Sequence, residues 1–102
     1  MDNHHEELFP TGTLMMTNTI HELVRQGVLT LESLLTRHRT GDWGDVTPSE
    51  ANINDTAAHL RLHQIVSKYR VNEQEVWVVS KPNGPFTLVL TRHEYESTDM
   101  PR

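Results

Sequence analysis

From Ile65 onward the chain changes the spacing of its apolar residues, and that switch limits the fold more than any other feature. Ile65-Val66-Ser67-Lys68-Tyr69-Arg70-Val71, Glu75-Val76-Trp77-Val78-Val79-Ser80 and Phe86 to Thr91 are rich in β-branched and aromatic residues, which suit a pleated, half-buried surface. Asn72 to Gln74 and Pro82-Asn83-Gly84-Pro85 separate them with turn-forming residues. Connections this short join only antiparallel neighbours, so the segment predicts a three-stranded antiparallel meander. In its middle strand both alternating sets, Val76 and Val78 against Trp77 and Val79, are apolar. One face should therefore carry helices and the other should be partly covered.

Before Ile65 the apolar residues recur three and four apart. Thr19-Ile20-His21-Glu22 matches a capping box, and the helix it starts runs to about Gln26, where Gly27 can take the left-handed turn that lets Val28-Leu29 fold back. Thr30 is the expected cap of a second helix with Leu31, Leu34, Leu35 and His38 on one face, ended by Gly41. Thr47-Pro48-Ser49-Glu50 is the clearest helix start and predicts a helix from Pro48 to about Leu62, with Ala51, Asn54, Asp55, Ala58 and Leu62 on its inner face. The expected class is α+β: three helices followed by a three-stranded antiparallel β-meander, with residues 13–17 as a candidate N-terminal fourth strand. A chain of 102 residues has room for one core. Residues 8–95 are read as a single domain, with 1–7 and 96–102 as flexible termini, and Leu23, Leu31, Leu34, Leu35, Trp43, Ile65, Val76, Val78 and Leu88 are the expected core.

The net charge is −5 with histidine neutral. Phosphate backbones bind clustered Lys and Arg, so nucleic acid is a poor partner for this surface. Seven histidines can reverse the sign of the charge below neutrality. The absence of cysteine excludes disulfides, thiolate nucleophiles and cysteine-ligated zinc. No stretch reaches the ~18 apolar residues of a membrane span, and Met1 to Glu7 lacks the pattern of a signal peptide. A cytoplasmic protein with no membrane partner and no cofactor is the expectation.

The string Leu34-Leu35-Thr36-Arg37-His38-Arg39-Thr40-Gly41-Asp42-Trp43-Gly44-Asp45-Val46 resembles a segment of a family of small uncharacterised proteins of bacterial plasmids, prophages and integrative elements. Their pattern is an Arg-His pair, two residues, then Gly-Asp-Trp-Gly. The likeness continues through Leu8-Phe9-Pro10, Gly12 and Thr17 upstream, and through Asn54-Asp55, Ser67, Tyr69, Trp77-Val78-Val79, Thr87 and Glu94-Tyr95 downstream. This chain departs from it at Leu62-His63-Gln64 and at Ser80-Lys81-Pro82. The resemblance implies a mobile genetic element as origin and implies no activity.

Two readings compete at Gly41-Asp42-Trp43-Gly44-Asp45. As a connector, the glycines allow left-handed backbone, the indole turns inward, and the carboxylates cap the next helix or accept from Arg37. As a site, Arg37, His38, Arg39, Asp42, Trp43 and Asp45 form a binding loop. His38 could then act as a base oriented by Asp42 while Arg37 clamps a phosphate, with Tyr69 and Thr87 added by analogy. That second arrangement would be a toxin-like ribonuclease, yet residues 42–60 contain Asp42, Asp45, Glu50 and Asp55 and no Lys or Arg.

Asp55, His59 and His63 are four apart, so a continuous helix would align them as a weak candidate for zinc or nickel. Met15-Met16 and Val76 to Val79 read first as core and second as a partner surface. The favoured function is a non-enzymatic accessory protein that binds another protein, with a host-defence component such as a restriction or CRISPR complex as candidate. A homo-oligomer stays open.

Overall fold

A computed structural model describes residues 7–61, 63–81 and 85–97. Its elements are β1 (Thr13–Met16), α1 (Asn18–Arg25), α2 (Leu31–Arg39), α3 (Pro48–Leu60), β2 (Ile65–Val71), β3 (Gln74–Ser80), β4 (Phe86–Thr91) and α4 (Arg92–Ser97). The class is α+β; the described residues form four helices and one mixed sheet in the order β1-β4-β3-β2. The meander is present: β2 pairs antiparallel with β3, and β3 with β4. Residues 13–16 do form a fourth strand, and it pairs parallel with β4 (Thr13 with Phe86, Met16 with Val89). The expected layout carried neither that parallel pairing nor a helix after the meander. The turn expected at 82–85 and the expected flexible termini fall almost entirely outside the described residues.

Local chemistry explains where the helices start. Thr17, not Thr19, caps α1: its Oγ1 accepts from Ile20 N at 3.3 Å while its own N–H still donates to Val89 O at 3.2 Å. The chain thus passes from strand to helix without a linker, and this phase turns Ile20 fully inward. Glu22, freed from a capping role, holds Arg25 and Gln26 instead. At the other end Gly27 takes φ +78°, and Val28 N donates to Leu23 O at 3.0 Å, the folded-back ending expected there. Thr30 stands at the start of α2 but its hydroxyl makes no cap bond. Both bonds of the Thr47/Glu50 box are made, at 3.0 and 3.1 Å. α4 has the same kind of box, with Glu94 N donating to Thr91 Oγ1 and Thr91 N to Glu94 Oε1.

α1 and α2 cover one face of the sheet, where Ile20, Leu29, Leu34 and Leu35 pack on Tyr69, Val76, Val78 and Val89. α3 closes a second cluster of Phe9, Trp43, Ala57, Ala58 and Ile65 at the β2 end. On the opposite face Trp77, Val79 and Leu90 lie under Tyr95 of α4. Six of the nine expected core residues are buried; Leu23 and Leu31 are only half-buried, and half-buried Leu88 points to the α4 face. Among the described residues no helix is long and apolar enough to cross a membrane.

Candidate functional site

The Gly-Asp-Trp-Gly segment is held against the outer edge of β2. Lys68 N donates to Trp43 O at 2.9 Å and Asp45 N donates to Lys68 O at 2.6 Å, so the connector pairs with β2 like a short parallel strand. Gly44 makes this approach possible. Its φ is +79°, and a Cβ there would collide with the Lys68 carbonyl and sit 2.7 Å from Tyr69 Cδ1. The indole of Trp43 is buried, stacked on Phe9 at 6.2 Å and donating from Nε1 to Asp55 Oδ1 at 3.0 Å. Asp42 receives a two-pronged bond from Arg37 (Nε at 2.6 Å, Nη2 at 3.1 Å), while Tyr69 Oη donates to the Asp42 carbonyl at 2.6 Å. The Arg37 guanidinium also lies 4.5 Å over the Tyr69 ring. Its hydrogen bonds hold the Asp42 carboxyl below the usual carboxylate range, and burial pushes the Tyr69 hydroxyl up to about 12.

Successive residues on a helix point about 100° apart, so the Arg-His pair divides. Arg37 faces solvent and His38 enters the core with 0% exposure. Its Nδ1 lies 2.6 Å from Ser67 Oγ and its Nε2 lies 2.9 Å from Ser80 Oγ. Ser80 Oγ is 2.5 Å from Thr87 Oγ1, which donates to the Thr11 carbonyl at 2.7 Å. A carbonyl can only accept, so Thr87 gives its proton to Thr11 O, Ser80 gives its own to Thr87, and His38 Nε2–H gives to Ser80. Burial drives the imidazole pKa down to about 3, with Arg39 adding to the effect, so the ring is neutral and its Nδ1 accepts from Ser67.

This geometry separates the residues of the proposed catalytic set. His38 and Thr87 share one hydroxyl network inside the protein, while Arg37 and Asp42 pair at the surface. The His38–Asp42 pairing needed for a base is replaced by two serine partners, and a fully occupied, enclosed imidazole cannot meet a substrate. As a binding loop the segment exposes Asp42, Asp45 and the Arg37 head, keeps Trp43 and His38 inside, and ties Arg39 to Glu7 and Glu32. The aligned Asp55, His59 and His63 array does not form. α3 ends at Leu60 because Arg61 turns left-handed (φ +59°), two residues short of the expected end, and Asp55 is held by Trp43. No group of three potential ligands comes together among the described residues.

Two devices close the β2 edge next to this connector. Besides the Trp43–Asp45 pairing, the buried side-chain amide of Asn54 on α3 pairs with Val66, giving from Nδ2 to Val66 O at 2.8 Å and accepting from Val66 N at 3.1 Å. α3 is thereby fixed beside the open face of β2, and between them lies a groove of about 190 Å³ lined by Glu50, Ile53, Asn54, Gln64, Val66, Lys68 and Trp77. Ile53 is 53% exposed at its lip. Lys68 Nζ sits 4.5 Å over the Trp77 ring and 3.1 Å from Glu50 Oε2. The Thr47 amide, with Lys68 assisting, keeps the Glu50 carboxyl below its ordinary range. Trp43 and Asp45 of the expected binding loop meet Lys68 through the main chain, and none of the loop's residues lines this groove. The roles of Ser67, Ser80, Asn54 and Lys68 depend on partners distant in the chain, and spacing alone does not reveal them. Compared with known protein families, curated proteins and solved structures, the chain finds no match.

Proposed function

We propose that this chain is a small non-enzymatic accessory protein that binds another protein through the groove between α3 and β2. The groove itself carries the reading. Its volume of about 190 Å³ falls below the ~300–1,000 Å³ of small-molecule sites, and accommodates one apolar side chain. Ile53, Val66 and Trp77 supply an apolar wall, while Lys68 and Glu50 supply charges of both signs. A desolvated anchor pocket inside a polar rim is the anatomy of a protein-binding hot spot. Acidic charge supports a protein partner over a polyanion. The resemblance supports a mobile genetic element in the bacterial cytoplasm as the setting, and a restriction or CRISPR component as the partner class to test first.

The test is capture from cells of such a host with a photo-crosslinking residue at position 53, run beside the Ile53→Glu variant. A discrete crosslinked partner that the variant no longer retains supports the reading. Equal retention by Ile53→Glu overturns it, as would RNA cleavage by the purified chain that His38→Ala abolishes while the fold is kept.

A further inference from the structure

The two edges of the sheet are treated in opposite ways. The outward amides of β2 at Val66 and Lys68 are paired by Asn54 and by the Trp43–Asp45 segment. β1 closes the other end of the sheet, and nothing described pairs with its outer side. Thr13 N and Thr17 N donate inward, to Pro85 O and Val89 O. Alternation along a strand then points the N–H and C=O groups of Leu14 and Met16 away from the sheet. Folded monomers blunt such an edge with charge, proline, a bulge or shortness. Thr13 to Met16 is short at four residues but carries no charge, proline or bulge, and Leu14 and Met15 are 40% and 47% exposed.

We infer that β1 pairs antiparallel with β1 of a second copy of this chain, about a two-fold axis at Met15. The register follows from parity, since residues opposite one another must share a face. Leu14 and Met16 stand beside Thr87 and Val89 on the helix-bearing face, and Met15 stands beside Leu88 on the other. Centring the axis on Met15 sets Leu14 against Met16 of the partner subunit, Met15 against Met15 of the partner subunit, and Thr13 against Thr17 of the partner subunit. Apolar meets apolar on both faces. The same register places Leu14 and Met16 at a hydrogen-bonded pair, so all four of their outward groups find partners, twice over by symmetry. From Pro10 to Ile20 there is no charged residue, so a second copy can approach this edge with no like charges facing one another across it. Four residues a side make a small interface, so the dimer forms in a concentration-dependent way.

The chain has no cysteine, so Met15→Cys creates its sole thiol. Opposed residues at a non-hydrogen-bonded antiparallel site lie with Cα atoms about 4.5 Å apart, inside the range a disulfide spans. Under mild oxidation Met15→Cys is expected to give a covalent dimer of twice 11.8 kDa at least about tenfold faster than Ile53→Cys, an exposed thiol at the far edge. Adding Leu14→Pro should abolish that advantage with the circular dichroism unchanged, since proline is tolerated on an edge strand where its missing N–H faced outward. If Leu14→Pro unfolds the chain, a mixture of Met15→Lys and Met15→Glu chains replaces it and should associate where each alone does not. Crosslinking at position 15 no faster than at position 53, or persisting undiminished with folded Leu14→Pro, overturns the inference. The assay uses purified chain alone and the edge opposite the groove, so its failure leaves partner capture through Ile53 standing, and the reverse.

Discussion

Between pH 7.5 and 5, acidification should destabilise this protein chiefly through His38. An unfolded histidine titrates near pH 6.5, and in the folded chain the pKa is about 3. The unfolded state therefore binds more protons throughout that window, and stability falls as the pH drops below about 6.5, at up to about 1.4 kcal/mol per pH unit. Between pH 7.5 and 5 the loss attributable to this one group is about 2 kcal/mol, a large part of a typical margin of ~5–15 kcal/mol. Urea unfolding at both pH values measures it, with His38→Asn as reference because an amide cannot titrate there. The other histidines are common to both chains and cancel in the difference. The wild-type chain should lose about 2 kcal/mol more than the variant. Equal losses would show that the native imidazole takes up its proton as readily as the unfolded one, and Ser67 could not then be donating to His38 Nδ1.

Three further substitutions probe the connector and the sealed edge. Gly44→Ala forces a left-handed alanine against the Lys68 carbonyl and should lower stability by about 2–5 kcal/mol, read as a thermal shift. Asn54→Ala leaves the N–H and C=O of Val66 without partners and should cost about 2–4 kcal/mol in urea unfolding, with faster exchange at Val66. Arg37→Ala breaks an exposed pair with Asp42; calorimetry should register under about 1 kcal/mol.

The legible parts of the fold are those whose cause is local. Thr47-Pro48-Ser49-Glu50 holds both partners of its box within four residues, and α3 starts where that spacing predicts. β2 and β4 occupy the expected residues because their composition and flanking turns mark them. The misses are mostly non-local. Parallel pairing of β1 with β4 joins residues more than seventy positions apart, and no neighbour of Thr13 signals it. Thr17 prevailed over Thr19 as the cap because Val89 keeps its N–H in the sheet. α4 is the exception, since Thr91-Arg92-His93-Glu94 is a local capping signal. At the site, the Arg-His pair suggested joint action, but helical geometry sends Arg37 to Asp42 and His38 to serines 29 and 42 residues away. Trp43 is the buried anchor that its glycine neighbours suggested. The groove depends on Asn54 fixing α3 against β2, a contact that no spacing rule contains.

Amide hydrogen exchange followed residue by residue tests the opposite treatment of the two sheet edges most directly. In dilute protein, Val66 and Lys68 should exchange as slowly as Val78 in the middle of the sheet, while Leu14 and Met16 exchange rapidly and gain protection as concentration rises. Rapid exchange at Val66 and Lys68, or concentration-independent protection at Leu14 and Met16, would contradict it.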